Sequence, residues 1–150
     1  MNTAVKTPWH LWVIGIVSLL WNAVGANDYL QSQLRNRDYL QGMTGTYDIT
    51  VDEMLAYIDG FPAWAEASWA FGVWGAVLGS VLLLFRSRFA LWAFVASLAG
   101  ALVTSLYQFS GVMPEALQGT GQIIFAAVIW LLAILLIVYT KKMISAGVLR

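Results

Sequence analysis

The side chains that could bind or transform a small molecule in this chain are carboxylates, amides and flat aromatic rings. Asn22, Asp28, Glu66, Tyr107 and Gln108 are the polar members, and Trp21, Trp64 and Trp69 fall at a similar register. Acceptors beside an indole face are what a sugar or amine pocket uses. The acceptors take hydroxyls, and the π face takes C–H bonds or a cation. Asp28 and Glu66 as a pair could also do acid–base work on a lipid or glycan. Each residue has a plainer reading as well. Asn22 shares a face with small residues, where an amide makes an interhelical hydrogen bond. Glu66 stands near a helix start, where the dipole favours a carboxylate. Asp28, Tyr107 and Gln108 read equally as interface and helix-end residues, and the tryptophans as a headgroup belt. His10, the one histidine, reads as a headgroup contact, and no HExxH, paired histidine or glycine-rich phosphate loop points to a metal or cofactor.

The elements that must position these groups follow from the supply of charge. Of 150 residues 60% are hydrophobic and only 11% charged, against roughly 25% in a soluble domain. Mean hydropathy is +0.72. That leaves too little polar side chain to cover a water-soluble globule, and it is the opposite of a disordered composition. The absence of cysteine removes disulfides and thiolate sites, and a formal net charge of zero gives no general attraction for nucleic acid. Four stretches lack Asp, Glu, Lys and Arg: 21 residues after Lys6, 19 after Glu66, 26 after Arg88 and 25 after Glu115. A helix rising 1.5 Å per residue crosses the bilayer core in about 20 residues. The runs show no strand alternation, and an open strand would leave backbone groups unpaired in lipid. The expectation is an all-α, four-helix transmembrane bundle, a single integral membrane domain over 1–150. Its spans fall near 8–30, 62–85, 89–110 and 119–140.

Basic residues set the orientation. Lys6, Arg86, Arg88, Lys141, Lys142 and Arg150 fall on one side, and only Arg35 and Arg37 on the other. The richer side is expected in the cytoplasm, giving an N-in/C-in chain. All eight acids fall on or near the opposite side, which is consistent. A rival for the first span is a cleaved signal peptide, with Lys6 ahead of Leu11–Leu20 and Val24-Gly25-Ala26 as the small-residue site. The continuation through Trp21 and Asn22 and the aromatic start favour a retained span.

Within this frame, Thr7-Pro8 predicts an N-cap followed by proline at the first helical position. Residues 31–60 form the sizeable aqueous segment, read as loop around Gly42 and Gly45. Thr50-Val51-Asp52-Glu53 is a capping box, and Met54, Leu55 and Ile58 continue a short amphipathic helix that Gly60 ends. This helix belongs to the first periplasmic loop. Ser68, Gly72, Ala76 and Ser80 recur every four residues in the second span, with Gly75 and Gly79 beside them. Ala93, Ser97, Ala101 and Ser105 repeat the pattern in the third, and Gly15, Ser18, Asn22 and Ala26 share a face in the first. Small residues let backbones approach where lipid gives no hydrophobic incentive to pack. The fourth span is bulky throughout, so the expected core is spans one to three, with the fourth facing lipid or an oligomer interface.

The strings Thr7-Pro8-Trp9-His10-Leu11-Trp12, Leu20-Trp21-Asn22 with Gly25 and Asp28-Tyr29, Phe61-Pro62-Ala63-Trp64, and Gly72-Val73-Trp74-Gly75 with Gly79-Ser80 resemble a family of small bacterial four-span inner-membrane proteins. The family is largely uncharacterised, and its members are sometimes labelled sugar transporters. The likeness covers roughly residues 7–110 and implies a multi-pass protein of the bacterial inner membrane. It assigns no site residue. Pumps and proton-coupled carriers place ionisable residues near the midplane, and this chain places none there. The first expectation is therefore a non-enzymatic accessory or scaffold subunit, bound to other membrane subunits or to its own copies. An oligomeric small-solute, sugar-like transporter or binding protein is the alternative. An enzyme using the outer carboxylates is the third.

Overall fold

The computed structural model describes residues 5–150. Six α-helices follow in order: α1 (Trp9–Gln33), α2 (Arg37–Thr44), α3 (Val51–Asp59), α4 (Ala63–Leu84), α5 (Ala90–Tyr107) and α6 (Thr120–Ser145). A π-turn (Gln108–Val112) and a 3-10 turn (Glu115–Leu117) join α5 to α6. No strand occurs among the described residues. Helices α1, α4, α5 with its π-turn, and α6 are each long and apolar enough to cross a bilayer. The chain is a small multi-pass integral membrane protein, and each of these helices overlaps one expected span, α1 running on to Gln33 and α6 to Ser145.

Two starts differ in detail from expectation. Pro8 is the N-cap of α1 rather than its first helical residue, and its carbonyl accepts from the Leu11 amide at 3.1 Å. Pro62 plays the same part for α4, accepting from Ala65 and Glu66. Extended ψ at both prolines sets the chain entering the helix, while their missing N–H groups leave nothing unsatisfied.

Helix α4 is the centre of the bundle, with α1 on one side and α5 on the other. The α4–α5 seam is closed by the small-residue stripes. A Cβ on Gly100 would stand 2.5 Å from the Gly72 nitrogen and the Ser68 carbonyl oxygen, and one on Gly75 would stand 3.0 Å from the Ala93 carbonyl oxygen. Backbones this close are stitched by Ser97 Oγ donating to the Gly72 carbonyl (2.6 Å) and by the Ser68–Thr104 hydroxyl pair (2.9 Å). Helix α6 packs on α5. Its most apolar window is 6% buried within the chain against 33% for the α5 span, so α6 is the span least covered by the rest of the chain.

A short turn links α4 to α5, the 108–119 segment links α5 to α6, and the α2–α3 cap links α1 to α4, so successive spans run antiparallel and the molecule has two ends. At the basic end, Leu11, Leu83, Ala90 and Phe94 form a buried cluster with Val148 and Leu149 of the C-terminal strap. At the acidic end, α2, α3 and the 113–117 segment make a cap around Leu40, Val51, Met54, Met113 and Leu117. The α3 capping box is present in full: Thr50 Oγ1 accepts from the Glu53 amide (3.2 Å), and Glu53 accepts from the Thr50 amide (2.8 Å). Helix α2 stands where the sequence reads as loop. Asn36 caps it through the Tyr39 amide (3.2 Å), and Leu40 anchors it in the cap cluster. Ion pairs Arg35–Asp59 (2.6 Å) and Arg37–Asp52 (2.8 Å) tie its start to α3.

Candidate functional site

The acidic end gathers most of the expected residues, and aromatic rings organise them. Tyr29 of α1 stands edge-on to Trp69 at 4.9 Å between centroids and to Trp74 at 6.3 Å. Trp69 meets Phe61 (5.9 Å), Phe61 meets Tyr107 (5.0 Å), and Tyr107 meets Trp64 (5.4 Å). Tyr57 of α3 adds to Phe61 at 5.2 Å. Offset and edge-to-face pairs of this kind contribute about 0.5–1.5 kcal/mol each beyond area burial. The chain of rings thus joins α1, α3, α4 and α5 at one level. Tyr107 also donates from its hydroxyl to the Gly60 carbonyl (3.1 Å), pinning the end of α3 to α5.

The expected site residues divide on this frame. Trp64, Trp69 and Tyr107 enter the ring chain directly. Asp28 lies at its edge and accepts from the Tyr39 hydroxyl at 3.3 Å, which couples α1 to α2. Glu66 sits half-buried in the first turn of α4, and no hydrogen bond or ion pair holds its carboxylate among the described residues. Gln108 opens the π-turn near the Tyr57 hydroxyl, which is buried without a hydrogen-bond partner. Asn22 stands apart. Its amide donates to the Ala76 carbonyl (3.2 Å) and to Ser80 Oγ (2.9 Å), so both its protons are spent holding α1 to α4. Trp21 is largely exposed on the lipid face of α1 and joins no aromatic pair among the described residues.

Tyr29, Tyr57, Phe61 and Trp74 are members that sequence spacing does not single out. Their signal is a cluster of aromatics at helix ends, which a membrane chain also produces as a belt.

Electrostatics at the cap are acidic. Arg35 and Arg37 are both paired, which leaves Asp28, Asp38, Asp48, Glu53, Glu66 and Glu115 without a cation among the described residues. Burial pushes the Tyr57 phenol up to about 12; the nearby Gln108 amide works against this, and the Tyr107 phenol adds to it. Hydrogen bonds from Thr50, first its amide and then its hydroxyl, hold the exposed Glu53 carboxyl below its usual range. Desolvation, and then the Asp28 charge, raise the Tyr39 phenol. A wide recess of about 670 Å³ opens between α3 and the segment after the π-turn, lined by Asp48, Glu53, Tyr57, Val112 and Glu115 among others. None of the expected site residues lines it. The rings pack on one another, and the Tyr107 and Asp28 polar groups serve joints between helices.

No family model, curated protein or solved structure matches the chain.

Proposed function

We propose that this chain is a non-enzymatic accessory or scaffold subunit of the bacterial inner membrane, with both tails in the cytoplasm and the acidic cap in the periplasm. The observation that supports the reading most directly is the filled centre of the bundle. A solute path would have to pass Asn22 toward Trp74, and there the Asn22 amide is committed to α4. Across the same depth the α4–α5 backbones leave no room for a Cβ at Gly100 and only a tight fit at Gly72 and Gly75. An ionisable group to couple transport is missing from mid-depth in the sequence. The least covered span, α6, and the rigid cap supply surfaces for other subunits or for further copies.

The test is purification in mild detergent at native expression level, with quantitative identification of co-purifying membrane proteins and measurement of particle mass. A stoichiometric partner or a defined homo-oligomer supports the proposal. A lone monomer whose melting temperature rises with a sugar or amine, and no longer does so in Glu66→Gln, moves the assignment to solute binding at the cap.

A further inference from the structure

We propose that the basic end of the bundle carries a binding site for the phosphate of an anionic phospholipid headgroup, built where the C-terminal strap returns to the α4–α5 turn. The strap leaves α6 through Gly147 (φ +69°), and it pairs with the turn through two backbone hydrogen bonds. The Arg150 amide donates to the Arg86 carbonyl and the Arg88 amide donates to the Arg150 carbonyl, each at 2.9 Å. This bridge brings the backbone of Arg150 against that of Arg86 and Arg88, more than sixty residues earlier in the chain. No carboxylate side chain lies within ion-pair distance of any of them, and all eight acids belong to the other end or the cap. Were Arg150 also to carry a free carboxylate, two positive charges would remain uncompensated.

The end of α4 turns sharply at the cluster. Helix α4 ends with Arg86 in the left-handed region (φ +58°), its amide bonded to Leu83 and that of Ser87 to Leu82. Glycine ordinarily fills that position, because a Cβ there crowds the following carbonyl oxygen. Arg86 turns inward: its Nε donates to the Val148 carbonyl (3.3 Å), and one terminal nitrogen is buried with no acceptor. Its charge fixes the strap and adds field beneath the surface. Arg88 and Arg150 stay exposed, and Arg88 lies over the Phe89 ring at 5.8 Å.

In the same turn and the first turn of α5, Phe85, Phe89 and Trp92 are 79%, 61% and 68% exposed. A guanidinium fork takes two phosphate oxygens at once. Exposed rings next to it give the attached glycerol and acyl carbons an apolar surface, which a free phosphate would not use. That combination selects a lipid over an inorganic anion.

The full chain is reconstituted in nanodiscs of phosphatidylcholine alone and of phosphatidylcholine with phosphatidylglycerol, and its melting temperature is measured in each. The anionic lipid is expected to raise it by about 5 °C. Inorganic phosphate added to the phosphatidylcholine discs leaves it unchanged. The double variant R88Q/R150Q loses the lipid-dependent rise, whereas K141Q/K142Q, which removes the same charge from the last turns of α6, keeps it. Retention of phosphatidylglycerol over phosphatidylcholine in native mass spectra of the detergent-extracted protein gives the same ordering without a melt. Equal responses of the two double variants would reduce the effect to general charge and overturn the site. So would an equal shift from inorganic phosphate, or no lipid preference in the unmodified chain.

Discussion

Gly100 and Gly25 both sit inside membrane helices, and they differ in what stands beside them. A Cβ on Gly100 would run into the backbone of α4, which cannot turn aside as a side chain can, whereas nothing lies within 4 Å of one on Gly25. Gly100→Ala must push α5 off α4 and is expected to destabilise the protein by about 1–3 kcal/mol. Gly25→Ala should be neutral, or stabilising by up to about 1 kcal/mol through helix propensity. Thermal unfolding of both variants in one detergent checks the pair; similar losses would mean the α4–α5 approach is wrong. Asn22→Ala removes both donors to α4 and is expected to cost roughly 0.6–2 kcal/mol without altering any ligand response. At this scale the sequence leaves Asn22 open between a joint and a site, because an amide on a small-residue face serves either. The positions of Ala76 and Ser80 commit its two N–H groups to the joint.

The cap is the element where sequence and structure part furthest. The α3 capping box is legible because its signal is local: a threonine, a glutamate three residues on, and a glycine stop. Helix α2 is not, since its eight residues contain Gly42 and only Tyr39, Leu40 and Met43 among them are large and apolar, too short a pattern to stand out from a loop. It is stabilised by a cluster drawn from α3 and from residues 113 and 117, which no local window contains. Two titrations probe the cap. Glu53 has a folded pKa below its ordinary 4.5. Its contribution is therefore complete above that value and is lost as pH falls through the depressed one. Hydrogen exchange across 51–59 should rise in that acidic range, and Glu53→Gln should flatten the rise. Tyr57 has the opposite sign. Its folded pKa, about 12, lies above the ordinary 10, so stability is complete below pH 10 and is lost as pH rises toward 12. Tyr57→Phe should remove that alkaline loss, as read by tryptophan fluorescence; an unchanged profile would show that the phenol is not buried.

At the scale of the whole molecule, charge is sorted by end. The described basic residues other than Arg35 and Arg37 lie at one end, and the carboxylates at the other. Reporter fusions test the resulting orientation: an activity confined to the cytoplasm is expected for insertions near residue 87, and an external one for insertions near residue 47. The reverse pattern would invert the bundle and with it the proposed assembly. The helices follow the order α1, α4, α5, α6. First and last spans meet by side chain at the basic end, where His10 Nδ1 and the Tyr139 hydroxyl lie 2.6 Å apart. That order agrees with a small-residue core and a bulky outer helix, both legible from spacing.

The number of spans, their approximate positions, the division of charge and the α3 cap were set by the sequence alone. Crossing lipid requires a long uncharged helix, and a capping box closes within four residues, so both are one-dimensional requirements. The aromatic chain from Trp74 to Trp64, the α2 anchor and the meeting of Arg86, Arg88 and Arg150 were decided by tertiary structure. Each joins residues far apart in the chain, and which side chains meet depends on helix rotation and strap path rather than on any spacing along the polypeptide.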